Sequence, residues 1–244
     1  MLGGTDAEPD VEPRPAGVWR RAAHALADLV MPPLCLGCHK PLTTHDALCA
    51  ACWRSIDFIR PPLCDRLGLP LPFDTGGTMV SAAAVADPPD YQRARAVARF
   101  DGVMRTLVHD LKFHDRHDAR RLFGRWLAEA GAELLEDADV LIPVPLTRGR
   151  LWSRRFNQSA ILAQEVERLC GVEMLPLALR RTRRTQPQVG LTRPQRLKNV
   201  SGAFAVAAEH KAAMAGAKVV LLDDAVPAGA TPLASAPTSQ RAAA

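Results

Sequence analysis

The run 219–222 (VVLL) constrains the fold most, because four consecutive apolar residues predict a strand that is buried on both faces of a parallel sheet. Asp223 and Asp224 follow where that strand must end, and residues 225–231 (AVPAGAT) are small. Ligands of open α/β sheets bind beyond the carboxyl ends of the strands. Carboxylates there accept hydrogen bonds from sugar hydroxyls, and loop amides contact phosphate. The motif therefore suits a sugar phosphate, and a strand that ends in a solvated Asp pair is an equally good interpretation.

The periodicity upstream predicts alternating strands and helices, which indicates an α/β sheet wound with crossover helices. Further strands are predicted at 139–142, 175–179 and 203–207, with a hairpin or two edge strands at 79–86 and 94–101. Helices are predicted at 102–113 and at 119–135, and a third is opened by residues 154–158 and runs to Cys170. Residues 180–199, rich in Arg, Thr, Gln and Pro, predict a long mobile loop.

Two C-x2-C motifs, Cys35 with Cys38 and Cys49 with Cys52, predict a structural Zn²⁺ site. A disulfide or redox pair is the alternative, and a reducing compartment favours the metal. The site lies in a module over 17–58 that begins with an amphipathic helix at 17–30. Residues 1–16 are expected to be disordered, and residues 59–78, rich in Pro and Gly, to form a linker. Cys64 has no other thiol near it in the sequence.

The positive charge of the chain is concentrated in one segment. The whole chain carries a net charge of +5, whereas residues 148–198 contain twelve Lys or Arg and three Glu, a net charge of +9. This segment suggests a pyrophosphate, nucleotide or nucleic-acid ligand, with a solvated face as the alternative. An acidic, Pro-rich N-terminus and the lack of a long apolar run predict a soluble cytoplasmic protein without membrane insertion.

Taken in this order, the motifs resemble the ComF family of competence-related proteins. That family joins an N-terminal zinc ribbon to a type I phosphoribosyltransferase fold, and the resemblance covers about residues 30–231. The residues that carry it are Cys35, Cys38, Cys49 and Cys52; 111–113 (LKF); 142–145 (IPVP); 155–158 (RFNQ); Arg181, Thr185, Gln188, Arg196, Asn199 and Phe204; and Asp223 with Asp224.

The resemblance implies a phosphoribosyltransferase-like domain over 79–231 that binds phosphoribosyl pyrophosphate and Mg²⁺. Asp223 and Asp224 would be the catalytic pair on the ribose hydroxyls, and the 143–146 turn would approach the pyrophosphate. The 180–199 loop would close over the site and neutralise the pyrophosphate. The implied ligand-binding residues are Arg181 and Arg196 of that loop, and Ala225, Val226, Ala228, Gly229, Ala230 and Thr231 around the 5′-phosphate.

The chain departs from the family pattern in three ways. Type I phosphoribosyltransferases usually have Thr-Thr where this chain has Pro227 and Ala228, so two phosphate donors are lost and weaker binding is expected. Many relatives have a second Cys pair where this chain has Cys64 and Leu67. Residues 232–244 are predicted to be a disordered tail, so that the last helix and strand of the family would be missing. A disrupted reading frame would explain such a tail.

Three functions are compatible with these residues. The first is a phosphoribosyltransferase, or a relative that binds phosphoribosyl pyrophosphate, linked to competence and DNA uptake. The second is a non-catalytic adaptor whose zinc ribbon and basic segment contact single-stranded DNA or a DNA-uptake helicase. The third is a degenerate, inactive relative.

Overall fold

The structure, a computed structural model, describes residues 32–74, 76–113, 119–186, 190–224 and 230–237. The predicted helix at 17–30 and the predicted tail at 1–16 lie outside the described residues, as does most of the predicted phosphate loop, 225–229. Within the described ranges, no helix has the length and apolar character needed to cross a membrane.

Residues 32–55 form a first lobe with four cysteines. Leu34 and Pro41 form an antiparallel bridge, which closes a tight turn around the first two cysteines. The helix α1 (Ala50–Arg54) follows the second pair and begins at Cys49, whose sulfur accepts a hydrogen bond from the N–H of Cys52. The cysteine spacing therefore predicts a compact turn correctly.

Residues 61–86 form a second lobe, where the sequence predicted a linker over 59–78. Leu63 and Pro70 form the same kind of bridge, and Gly68 supplies the left-handed backbone that the turn needs, with φ of 64°. The helix α2 (Ala82–Ala86) ends this lobe, although the sequence predicted a strand at 79–86. This segment is helical because it is rich in Ala and because the side chain of Ser81 caps it by accepting a hydrogen bond from the N–H of Ala84.

The α/β body begins with the strand β1 (Arg93–Arg99), whose five central residues are buried. The helix α3 (Gly102–Phe113) follows, as predicted. The helix predicted over 119–135 is present in two pieces, α4 (Ala119–Ala130) and α5 (Ala132–Leu135), because Gly131 leaves the helical conformation between them.

The next unit contains the first parallel strand and the longest described helix. The strand β2 (Val140–Pro143) is buried at all four positions, as its apolar sequence predicts. The short helix α6 (Arg148–Arg154) is capped by Thr147. The helix α7 (Gln158–Cys170) is capped by Asn157, whose side-chain oxygen accepts from the N–H of Ser159.

Regular structure occupies part of the segment that was predicted to be a mobile loop. The strands β3 (Leu179–Arg181) and β4 (Phe204–Val206) pair antiparallel, and the helix α8 (Arg193–Val200) lies between them in sequence. The start of this helix is stabilised by the side chain of Gln195, which accepts from the N–H of Thr192 at 2.8 Å, as in one half of a capping box.

A mixed four-stranded sheet organises the body. After the short helix α9 (Lys211–Met214), the strand β5 (Lys218–Leu222) pairs in parallel with β2, which confirms the predicted parallel strands. The final strand β6 (Ala230–Pro237) is antiparallel to both of its neighbours. The strand order is β1-β6-β5-β2, so β5 lies inside the sheet.

Residues 232–237, which were predicted to be disordered coil, belong to β6. They pair on one side with β1 and on the other with β5. Without β6, the backbone N–H and C=O groups of β1 and β5 that face it would lack these hydrogen bonds. Forming them outweighs the weak strand propensity of Ala, Ser and Pro. The pairing with β1 shifts register between Ala96 and Arg99, close to the partner position of Pro232. Proline has no N–H for a ladder and is tolerated at such irregularities.

The main core lies between the sheet and the helices α3, α4 and α7. Leu107, Leu127, Leu141 and Leu162 are almost fully buried in it. The helices α4 and α7 approach closely at Gly124, where a Cβ atom would lie 2.5 Å from Cβ of Glu165. Glycine at this position therefore sets the distance between the two helices.

Substituting Gly124→Ala tests this packing. Alanine favours a helix by about 1 kcal/mol, but the clash with Glu165 is expected to cost about 1–3 kcal/mol. We therefore expect a lower free energy of unfolding in urea. The control is Gly149→Ala in α6, where an added Cβ meets nothing within 4 Å. That variant should be as stable as the parent chain or slightly more stable, and equal gains in both variants would contradict the packing argument.

Candidate functional site

The acidic pair lies at the carboxyl end of β5, as predicted, and each carboxylate has specific partners. Oδ1 of Asp223 accepts hydrogen bonds from Oγ of Ser159 at 3.0 Å and from the N–H of Asp224 at 2.8 Å. Oδ1 of Asp224 lies 2.8 Å from Nζ of Lys112. Ser159 stands in the first turn of α7, and Lys112 near the end of α3. Two helices therefore supply the groups that stabilise the pair.

Gln158 connects Lys112 to the basic helix α6. The side chain of Gln158 is fully buried, and its amide donates to the carbonyl of Lys112 at 3.4 Å. Its Oε1 accepts from the guanidinium of Arg154 at 3.2 Å. A buried amide with both ends engaged fixes the neighbouring chains firmly. Gln158 thereby ties both Lys112 and Arg154 to the start of α7.

The 143–146 turn is tied to the same place. The N–H of Val144 donates to the carbonyl of Leu222, the last residue of β5, at 2.9 Å. The carbonyl of Val144 accepts from the side-chain amide of Asn157 at 3.1 Å. The turn therefore runs beside the acidic pair, where it was predicted to approach a ligand.

The two carboxylates differ in their electrostatics. Burial, and next the negative charge of Asp224, raise the pKa of Asp223 to about 7, against the hydrogen bonds from Asp224 and Ser159 and the charge of Lys112. Two adjacent carboxylates in a poorly solvated site resist carrying two charges at once. Near neutral pH the carboxyl group of Asp223 is therefore partly protonated. A ligand that contributes positive charge would favour its ionised form.

Two arginines interact electrostatically with the acidic pair. Burial lowers the pKa of Arg154, and the charge of Asp224 opposes that shift. Burial, followed by the charge of Arg150, lowers the pKa of Arg181, and Asp223 opposes it. The guanidinium of Arg181 lies 4.7 Å from the ring centre of Phe204. Arg154 and Arg181 therefore add positive charge near Asp224 and Asp223, and Arg150 adds charge near both arginines, as an anionic ligand requires.

The predicted ligand-binding residues are only partly brought together. Arg181 lies near the acidic pair, whereas Arg196 is half-buried in α8. Ala230 and Thr231 begin the strand β6, with Ala230 opposite Arg99, so this end of the predicted phosphate loop is strand. The other predicted loop residues lie outside the described ranges: Ala225, Val226, Ala228 and Gly229.

Several site residues had no role assigned from the sequence. Lys112, Asn157 and Gln158 were quoted only as parts of family motifs, and Ser159 not at all. Asn157 carried a usable signal, since it immediately precedes a helical apolar pattern and is a strong N-cap residue. The contacts of Lys112 and Ser159 with β5 span large sequence separations and leave no local pattern.

The four cysteines of the first lobe form a cluster that fits zinc. Their sulfur atoms lie within 4.8 Å of one another, and those of Cys38 and Cys49 are 3.6 Å apart. A tetrahedral zinc–thiolate site has sulfur–sulfur distances of about 3.8 Å. Burial alone would raise the pKa of Cys35, but backbone hydrogen bonds, above all from the N–H of Cys49, lower it to about 6. A thiolate is therefore favoured at Cys35, whereas burial, followed by the neighbouring cysteine side chains, raises the pKa of Cys52.

Known proteins resemble the chain over most of its length. Residues 26–84 match the family model described as a double zinc ribbon domain. DNA utilization protein YhgH of Escherichia coli O157:H7 is 32% identical, over 83% of this chain and 88% of that protein. Competence protein F of Haemophilus influenzae is 26% identical, over 81% of this chain and 86% of that protein.

Substituting Asp223→Asn tests the electrostatics of the pair. Between about pH 4 and 7 the native chain retains a proton that the unfolded chain has released, so Asp223 lowers the free energy of unfolding as pH rises through this window. The variant has no ionisable group at this position, so its free energy of unfolding does not fall for this reason as pH rises. We expect it to match the parent near pH 4 and to exceed it by roughly 2–4 kcal/mol at pH 8, measured by urea unfolding.

The matched control is Asp137→Asn, at an exposed carboxylate that lies 3.6 Å from Nζ of Lys218 at the other end of β5. The difference in free energy of unfolding between this control and the parent chain should not increase from pH 4 to pH 8. Parallel stability profiles for Asp223→Asn and the parent chain would contradict the raised pKa.

Proposed function

Because the chain belongs to the ComF family, together with DNA utilization protein YhgH and competence protein F, we propose that its α/β body binds phosphoribosyl pyrophosphate with Mg²⁺. The observation that carries the proposal is the convergence of separate chain segments on Asp223 and Asp224. Lys112, Ser159 and the basic residues around them meet the pair beyond the end of a parallel strand, the edge at which α/β sheets bind ligands.

The chemistry of each group matches one part of this ligand. Vicinal ribose hydroxyls would donate to the two carboxylates, which accept several hydrogen bonds each. The guanidinium groups of Arg150, Arg154 and Arg181 would neutralise the pyrophosphate. Asp223 and Asp224 would hold Mg²⁺ together with the ligand, and the ion would neutralise part of the negative charge of the pyrophosphate.

Lys112 and Ser159 would act before the ligand arrives. They hold the carboxylates in place in the unliganded chain, with Nζ of Lys112 at 2.8 Å and Oγ of Ser159 at 3.0 Å. A site whose charges are already oriented loses less conformational entropy on binding. Should the bound ligand transfer its ribosyl group, the same fixed charges would stabilise the cationic ribosyl transition state.

Calorimetric titration of the full chain with phosphoribosyl pyrophosphate and Mg²⁺ tests the proposal. We expect saturable binding that depends on Mg²⁺, and at least a tenfold loss of affinity in Asp223→Asn and Asp224→Asn. Asp137→Asn changes the same functional group at the opposite end of the sheet and should bind like the parent. The absence of binding by the parent chain at millimolar ligand would reject the proposal.

A second candidate function, binding of single-stranded DNA, is favoured by the surface of α6. This helix has no buried residue, and the side chain of Trp152 is 90% exposed between arginines. An exposed aromatic ring among positive charges suits base stacking and backbone contact, and stacking contributes about 1–3 kcal/mol per base. The name of the related DNA utilization protein accords with such a ligand.

Fluorescence anisotropy with a labelled oligothymidylate tests this second function. Trp152→Ala should weaken binding about tenfold, whereas Leu151→Ala on the same helix removes no ring and should have little effect. Binding should also weaken steeply with added salt. Salt-independent binding, or equal affinities for both variants, would reject α6 as the DNA surface. A stable, cooperatively folded chain that binds neither ligand would instead indicate an inactive relative.

A further inference from the structure

The two N-terminal lobes repeat one backbone design. Residues 33–42 (PLCLGCHKPL) and 62–71 (PLCDRLGLPL) are identical at five of ten positions. Both segments close with an antiparallel bridge, and both lobes end in a five-residue helix capped by the side chain that precedes it. The second lobe is therefore a structural copy of the first.

The hydrogen bonds of the two lobes correspond pair by pair. In the first lobe, the N–H of Cys35 donates to the carbonyl of Lys40 at 2.8 Å. The N–H of Leu42 donates to the carbonyl of Pro33 at 2.8 Å, and that of Leu36 to the carbonyl of Ala47 at 3.1 Å. In the second lobe, the N–H of Cys64 donates to the carbonyl of Leu69. The N–H of Leu71 donates to the carbonyl of Pro62, and that of Asp65 to the carbonyl of Met79, each at 2.8 Å. This correspondence fixes which residues are equivalent.

The sulfur of the first cysteine has the same contact in both lobes. Sγ of Cys35 accepts from the N–H of Cys49 at 3.2 Å, and Sγ of Cys64 accepts from the N–H of Ser81 at 3.2 Å. Ser81 is also the helix cap, as Cys49 is. The four cysteine positions of the first lobe thus correspond, in order, to Cys64, Leu67, Ser81 and Ala84.

This set of side chains does not fit zinc. Structural zinc sites use four strong donors, usually Cys or His, and here one thiol stands with two apolar side chains and a neutral hydroxyl. Among the described residues, the cysteines of the first lobe are the one group of three or more His, Cys, Asp or Glu whose ligand atoms lie close enough to share an ion. The second metal that a double zinc ribbon implies has no ligand set in this lobe.

The turn of the second lobe has also lost the space that a metal turn needs. In the first lobe, a Cβ atom on Gly37 would lie 3.1 Å from Sγ of Cys52, so the turn is built around a residue without a side chain. The equivalent residue in the second lobe is Arg66. A ligand sulfur at the position of Ala84 would therefore meet a crowded turn.

Contacts with β1 and with the segment that leads into it replace the metal. The guanidinium of Arg66 donates to the carbonyls of Pro89 and Tyr91 at 2.9 and 3.0 Å. The N–H of Ala94 donates to the carbonyl of Arg66 at 3.0 Å. The buried guanidinium of Arg95 donates to the carbonyl of Asp65 at 2.7 Å and to its carboxylate at 3.1 Å. The equivalents of Asp65 and Arg66 in the first lobe are Leu36 and Gly37, which have no such groups.

Gly68 brings the second lobe against β1. A Cβ atom at this position would lie 2.2 Å from the carbonyl oxygen of Ala94, so only glycine allows the contact. His39 is the equivalent residue in the first lobe and has a similar backbone, with φ of 59° against 64° for Gly68. The second lobe thus keeps the turn geometry of a zinc knuckle and uses the turn to pack on the sheet.

We propose that the second lobe is a former zinc knuckle that folds without metal, as a fixed part of the α/β body, and that the chain binds one zinc, in the first lobe. The inference is independent of the function proposed for the acidic pair. The fold of the first lobe then depends on zinc, and the fold of the second lobe depends on Asp65, Arg66 and Gly68.

Metal content tests the first half of this proposal. The purified full chain should contain one zinc per chain by inductively coupled plasma mass spectrometry. Cys64→Ser should keep that zinc, whereas Cys49→Ser, at a metal position, should lose it. Two zinc ions per chain, or loss of zinc in a folded Cys64→Ser chain, would overturn the proposal.

Hydrogen exchange of the parent chain tests the second half and needs no variant. Removal of zinc with a chelator should accelerate amide exchange at least tenfold in residues 35–52. Amides of 64–71 should exchange at an unchanged rate, because their structure rests on the body. Equal acceleration in both lobes would show that the second lobe also depends on metal and would overturn the proposal.

Discussion

The carboxylates at the end of β5 set the main physical constraint on this structure. Two acidic side chains beside a buried strand repel each other and lose solvation, so neighbouring groups must compensate for their charge. Lys112 does so for Asp224 at 2.8 Å, and Ser159 donates to Asp223 at 3.0 Å. Removing one partner of such a buried pair costs about 3–5 kcal/mol in proteins. The end of α3 and the start of α7 are therefore fixed relative to β5.

The same constraint explains why other chain segments meet at this edge of the sheet. Gln158 is buried because it links the carbonyl of Lys112 to the guanidinium of Arg154. Asn157 caps α7 and also holds the 143–146 turn through the carbonyl of Val144. The basic groups that a polyanionic ligand requires are thus positioned by the contacts that stabilise the acidic pair. The residues that we propose to bind the ligand are thus oriented by neighbours that stabilise the acidic pair.

Local patterns in the sequence predict part of this architecture. The apolar runs of β2 and β5 predict their burial and parallel pairing, and the cysteine spacing predicts the thiol cluster. The strand β6 has no such pattern, since Ala, Ser and Pro form strands poorly and only the open positions beside β1 and β5 explain it. The second lobe has the Pro and Gly content of a linker because tight turns need the same residues. Contacts such as Lys112 with Asp224 join distant segments and have no local signal.

We propose that the carboxyl end of β5 is an oriented site for phosphoribosyl pyrophosphate. Hydrogen–deuterium exchange of the full chain, with and without this ligand and Mg²⁺, tests it most directly, because exchange locates the contact as well as detecting it. We expect slower exchange in residues 219–224 and 157–162, and unchanged exchange in the first lobe. Unchanged exchange at the end of β5, or protection confined to the first lobe, would contradict it.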